Sequence, residues 1–167
     1  MDKTKYSNIK LIVLSVDGVF TDGKGAYKCD GSIISKNFLD KDFKSLSKLR
    51  EFFNIIILSS EEHINRGVFK KKGFKFYCSK NKKKMLKQIL RERSTMPDEC
   101  IYVGDDLLDL PCVRLIPNSF CPKDAFYEVK EIATVLSANG GTGVIYELYK
   151  VLFQEIILRY KFYQKLP

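Results

Sequence analysis

The sequence predicts an α/β protein built on a doubly wound parallel sheet. Two observations carry this. Apolar, β-branched runs of strand length alternate with segments whose apolar residues recur at helical spacing. Three of the strand-like runs also end in clusters of Ser, Asp, Glu and Gly. Parallel strands covered on both faces read as unbroken apolar runs, and right-handed helical crossovers join them. The 167 residues are 45% hydrophobic, enough for one substantial core, and the whole span 1–167 is expected to be a single domain.

In chain order, Ile9 to Val16 is a buried central strand that delivers Asp17 and Gly18 to its C-terminal end. Two short strand-like pieces flank the turn Cys29-Asp30-Gly31-Ser32, whose Asp-Gly pair marks a hairpin over about 24–38. Phe43, Leu46, Leu49, Phe52 and Phe53 then recur at helical spacing, and Ile55 to Leu58 is a second buried strand ending in Ser59-Ser60-Glu61. A lysine-rich helix runs to about Lys72, with Gly73 as its stop. A short strand, Phe74 to Tyr77, precedes a helix from about Asn81 to Arg93. Pro97 closes the loop before the strand Cys100 to Val103, which ends in Gly104-Asp105-Asp106. After further short elements, Gly140-Gly141-Thr142-Gly143 opens a long helix from Val144 to about Tyr160.

Composition narrows the classes. No stretch reaches the ~18 consecutive apolar residues of a membrane span, and the mixed-charge residues 1–8 do not read as a secretory signal. Five widely spaced cysteines without a Cys-x-x-Cys pair, and a single histidine, His63, argue against a zinc site or disulfide framework. Reduced thiols in a cytoplasmic setting fit best. The net charge of +9 gathers partly in the runs 70–72 and 80–84. Without stacking aromatics or base-reading motifs these read as solvated helix faces, not as a nucleic-acid surface.

Ligands of such sheets bind outside the carboxyl ends of the strands. Asp17, Asp105, Asp106 and Asp109 converge there with Ser59 and with Lys82 from the next helix start. Carboxylates beside a lysine and hydroxyls suit Mg²⁺ together with a phosphate, because Mg²⁺ takes oxygen ligands and shares them with the substrate's phosphate oxygens.

The segment Ser15-Val16-Asp17-Gly18-Val19-Phe20-Thr21-Asp22-Gly23 resembles the first motif of the haloacid-dehalogenase (HAD) superfamily. Its form is similar to that of 3-deoxy-manno-octulosonate 8-phosphate and acylneuraminate 9-phosphate phosphatases. Ser59, Lys82 and Gly104 to Asp109 match the second, third and fourth motifs. Lys41-Asp42 and the glycine loop 140–144 resemble further family features. The resemblance implies a Rossmann-like HAD fold with a β-hairpin flap and no cap domain. It implies Asp17 as general acid/base with its carbonyl on Mg²⁺, Asp105 as direct metal ligand, and Asp106 or Asp109 in support. Ser59, Lys82 and the backbone near Gly18 would hold phosphoryl oxygens, and the substrate would be a sugar-acid phosphate.

One departure dominates. The residue two before the acid/base, an attacking aspartate in active members, is Ser15. Losing such a nucleophile costs on the order of 10⁶ in kcat, so turnover is expected to be impaired or lost. A non-catalytic paralogue, an engineered substitution and unusual serine chemistry are the alternatives. The non-catalytic option resembles the C-terminal domain of vertebrate CMP-sialic acid synthetases, which is similar in fold and oligomerises or senses ligand without the nucleophile. Glu61, where octulosonate phosphatases carry arginine, resembles the nine-carbon (sialic acid) branch, and Lys72 could complete a polar pair with it. His63 reads as a surface helix residue. With no cap domain inserted, the hairpin's apolar residues (Tyr27 and Ile34 among them) are expected to pair with copies of the chain in a homotetramer.

Overall fold

A computed structural model describes residues 5–163; residues 1–4 and 164–167, included in the expected domain 1–167, lie outside the described residues. The strands are β1 (Leu11–Leu14), β2 (Ala26–Tyr27), β3 (Ile33–Ser35), β4 (Asn54–Ser59), β5 (Lys75–Cys78), β6 (Cys100–Val103), β7 (Asn118–Cys121) and β8 (Thr134–Val135). The helices are α1 (Asp40–Leu49), α2 (His63–Lys71), α3 (Lys82–Glu92), α4 (Leu110–Val113), α5 (Tyr127–Lys130) and α6 (Val144–Tyr163). Six strands form one parallel sheet in the order β5-β4-β1-β6-β7-β8. The chain builds outward from β1 through β4 and β5, then crosses to β6 on its other side. The strand order therefore reverses beside β1, which opens a crevice at the carboxyl ends of β1, β4 and β6.

The alternation of β1 sorts the core into two layers. Ile12 and Leu14 face α1, α2 and α6, packing with Leu46, Leu49, Phe69, Leu148 and Leu152. Leu11 and Val13 face α3, α4 and α5, packing with Leu86, Ile89, Val113 and Val129. Each fully buried side chain of this size contributes roughly 1.5–3 kcal/mol.

The sheet strands form because β-branched runs such as Asn54–Ser59 pack on both faces at once. Asn81 caps α3, its side chain accepting the Lys84 N–H at 3.1 Å. Gly73, at φ +76°, ends α2 as the sequence anticipates. The pair β2–β3 forms a separate two-stranded antiparallel sheet. An aromatic cluster roots it: Phe38, just after β3, stacks near Phe43 at 5.7 Å, and Phe20 meets Phe69 edge-on at 4.9 Å.

Candidate functional site

Three loops that leave the sheet build the site. The turn after β1 is shaped by Gly18, at φ +73°, where a Cβ would fall 1.7 Å from Asp105 Oδ2. Only glycine lets the β1 and β6 loops come this close. The glycine loop before α6 presses on the same turn: Gly141 N–H donates to Val19 O at 3.1 Å, and a Cβ on Gly140 would lie 2.3 Å from Gly18 O. Asp42, in the first turn of α1, is buried against the start of α6, where it accepts the Tyr146 N–H at 2.9 Å, while Lys41 Nζ lies 3.6 Å from the Tyr146 ring centroid. The Lys41-Asp42 pair and the glycine loop thus brace the first-motif turn.

Beneath the crevice lies a dry floor. Lys82 Nζ donates to Asp109 Oδ1 at 2.7 Å and to Ser15 Oγ at 2.9 Å. Asp109 also accepts the Tyr102 hydroxyl at 2.5 Å and the N–H groups of Asp105 and Asp106 at 3.1 and 3.4 Å. Burial works against the charge on Lys82, but Asp109, then Asp106 and Asp105, outweigh it and hold its pKa above that of a free lysine. Lys82 is therefore an ammonium that donates to Ser15. A lysine acting as base would have to be neutral, so nothing in this contact activates the serine.

Asp105 and Asp106 complete the acidic side. Burial, then the charges of Asp109 and Asp106, push the Asp105 carboxyl up to about 8, and burial raises Asp106 as well. Asp105 Oδ1 is buried without a hydrogen-bond partner. One carboxylate oxygen from each of Asp105, Asp106 and Asp109 lies within 4.8 Å of the others. Three packed carboxylates with an orphaned oxygen fit a hard divalent cation. Asp109 is already engaged by four donors and Asp106 Oδ1 by the Leu108 and Asp109 N–H groups, which leaves Asp105 and the other Asp106 oxygen to hold it.

The upper wall belongs to Asp17. Its Oδ1 accepts from Lys36 Nζ at 2.7 Å and Thr21 Oγ1 at 3.3 Å, and its Oδ2 from Asn65 Nδ2 at 2.9 Å. Ser59, at the end of β4, is buried, and its Oγ accepts the Glu61 N–H at 3.0 Å and Asn65 Nδ2 at 3.1 Å. A cleft of about 840 Å³ opens above, lined among others by Asp17, Lys36, Glu61, His63, Asn65 and Asp106.

Ser15, Asp17, Gly18, Ser59, Lys82, Asp105, Asp106 and Asp109 thus gather at one end of the sheet. The pairing of Glu61 with Lys72 is not made. Lys72 Nζ lies 4.1 Å from the Phe43 ring centroid, outside the cleft residues, and no ion pair among the described residues joins it to Glu61. The Phe43 π-surface holds that lysine instead. His63 is exposed as expected, yet it lines the cleft. The hairpin residues Tyr27, Ile33 and Lys36 line this chain's own cleft, while Ile34 is 55% exposed.

Sequence reasoning missed Lys36, Asn65 and Tyr102. Asn65 left a signal: it shares the inward stripe of α2 with Phe69, four residues on, and a polar side chain on an apolar stripe needs a partner. Lys36 left none, since it reaches Asp17 only because the hairpin folds over the cleft.

This sheet, reversing beside β1 with its motifs at the strand ends, is the fold of the HAD superfamily. No protein-family model matches the chain. It is 31% identical over 155 residues to the 3-deoxy-D-manno-octulosonate 8-phosphate phosphatase KdsC of Haemophilus influenzae, covering 90% of this chain and 86% of that protein. The cobalt-bound structure of the deoxy-D-mannose-octulosonate 8-phosphate phosphatase from Haemophilus influenzae superposes with a TM-score of 0.84 at 29% identity, covering 90% and 91% of the two chains. A Moraxella catarrhalis 3-deoxy-D-manno-octulosonate 8-phosphate phosphatase, in complex with magnesium, phosphate and KDO, shares the fold at TM-score 0.82 and 21% identity, covering 95% and 97%. The chain belongs to the 3-deoxy-D-manno-octulosonate 8-phosphate phosphatase family of the HAD superfamily. No helix among the described residues is long and apolar enough to cross a membrane.

Proposed function

We propose that the chain is a Mg²⁺-dependent, sugar-acid-phosphate phosphatase-like protein whose turnover is impaired or lost. The observation that carries this reading is Ser15 Oγ accepting from the Lys82 ammonium at 2.9 Å, a hydroxyl with no base in the place of a carboxylate nucleophile. Asp105 and Asp106 would hold the cation together with the Asp17 carbonyl, and Asp109 supports them. Bound there, Mg²⁺ supplies positive charge to phosphoryl oxygens. Lys82 uses two of its three donors on Asp109 and Ser15, which leaves one for a phosphoryl oxygen. Ser59 and the Gly18 backbone would hold the others, and Asp17 would protonate the leaving sugar oxygen.

Phosphate release tests the reading. The protein as it stands should turn over far more slowly than about 1 s⁻¹, and Ser15→Asp should restore activity. Glu61 in the cleft supports a preference for nine-carbon over eight-carbon sugar-acid phosphates in that variant. A rate of enzymatic size without the substitution would refute the loss of turnover, and equal or reversed preference would refute the nine-carbon reading. The same serine favours a second reading, a non-catalytic domain for oligomerisation or ligand sensing. That one gains if Ser15→Asp binds phosphate yet stays inactive.

Assembly is part of the proposal. Tyr27 and Ile34 are 61% and 55% exposed on a two-stranded ribbon, which is barely stable alone. Packing against copies of itself in a homotetramer would bury them and close each cleft. Light scattering should give about four times the chain mass. The double substitution Tyr27→Glu with Ile34→Glu should reduce it to the monomer, and a monomer for the unsubstituted chain would end the idea.

A further inference from the structure

We infer that Asn65 is a positioning residue that aims the Ser59 hydroxyl proton at the bound phosphoryl group and fixes Asp17 beside it. The inference rests on the phosphate-binding reading above. Asn65 is 1% exposed, and its Nδ2 reaches Ser59 Oγ at 3.1 Å and Asp17 Oδ2 at 2.9 Å. The orientation of its amide is fixed by chemistry, because the reverse would set a carbonyl oxygen against the Asp17 carboxylate.

The consequence falls on Ser59. A hydroxyl oxygen has two acceptor positions and one hydrogen. Both positions are filled, by the Glu61 N–H and by Asn65 Nδ2. The Ser59 hydrogen cannot turn back to either donor, so it remains for an acceptor outside this pair, and a phosphoryl oxygen is one. Without Asn65, the hydrogen could turn toward Asp17 instead and be lost to the ligand.

The fold keeps this arrangement at a cost. Asn65 Oδ1 is buried with no hydrogen-bond partner, a cost an apolar side chain of the same shape would not carry. The two donated bonds, to Ser59 and Asp17, are what offset it.

Calorimetry with inorganic phosphate and Mg²⁺ tests the inference on the full chain, its Asn65→Leu and Ser59→Ala variants, and the double variant. Asn65→Leu should weaken phosphate roughly tenfold or more, the size of one hydrogen bond to a charged group. The double variant should bind no more weakly than Ser59→Ala alone, because Asn65 acts through that hydroxyl. A residue that only supported the fold would add its loss to that of Ser59→Ala. Additive losses, or unchanged affinity in Asn65→Leu, overturn the inference while leaving the phosphate site standing. Absence of phosphate binding in the unsubstituted chain overturns the phosphate reading and this inference together. Should Asn65→Leu fail to fold, Asn65→Ala removes the donor with no added bulk or charge, and the same pattern of losses is expected of it.

Discussion

The floor of the site and its rim use the same residue types in opposite surroundings. On the floor, Ser15, Lys82, Tyr102 and Asp109 are all 2% exposed or less, and Asp109 accepts from four donors. On the rim, Glu61 and His63 are exposed, and Asp17 keeps 30% of its side chain in water although Lys36 pairs with it. The contrast separates two uses of charge. A charge removed from the floor strands its partner without water, whereas at the rim solvent can take its place.

The largest effect should come from Lys82→Met. It leaves Asp109 buried without its cation and should cost about 3–5 kcal/mol of stability in urea denaturation. A cost under about 1 kcal/mol would mean that water reaches the floor.

Acidity comes next. Burial, then Asp109 and Asp106, raise Asp105 from 3.8 to about 8, and Asp106 moves the same way. The folded state therefore holds protons that the unfolded chain gives up at lower pH. That stabilisation is complete below about pH 4 and is lost as pH rises through about 8. With a chelator present, thermal unfolding should show stability falling by roughly 3–4 kcal/mol between about pH 5 and 9. Mg²⁺ should flatten the slope. A flat profile over that range would show that Asp105 is ionised without a cation.

The smallest effect belongs to Lys36→Met. The Asp17 it leaves behind can be hydrated and keeps Asn65, so the cost in urea should be below about 1 kcal/mol. A loss equal to that of Lys82→Met would erase the distinction between floor and rim.

What the sequence made legible follows the same division. The strand Cys100 to Val103 appears with its expected bounds, and Gly104 to Asp109 follows it as expected, because an apolar run this short, closed off by Pro97 and Gly104, is strand-sized and not helix-sized. Expected strand ends at Ile9 and Val16 shrink to Leu11–Leu14, although Ile9 and Val16 stay buried and Lys10 and Ser15 still bond to neighbouring strands, because element ends are assigned to within a residue or two. Within the run 80–84, Lys80, Lys83 and Lys84 are exposed while Lys82 is buried. The motif distinguished it, and charge alone could not. The weak places are β7 and β8, short strands among prolines and polar residues that give no clear period. Lys36 and Lys72 depend on where a hairpin and a helix end settle in space, information that local pattern does not carry.

The Lys82–Asp109 pair has one more consequence. Because the lysine finds its counter-ion at position 109, it needs none at position 15. A hydroxyl there leaves no buried charge stranded, and a carboxylate there would meet a cation already in place. The architecture is thereby insulated from the fate of the chemistry. Position 15 should accept either a hydroxyl or a carboxylate by a single substitution with the strands and helices around it left in place.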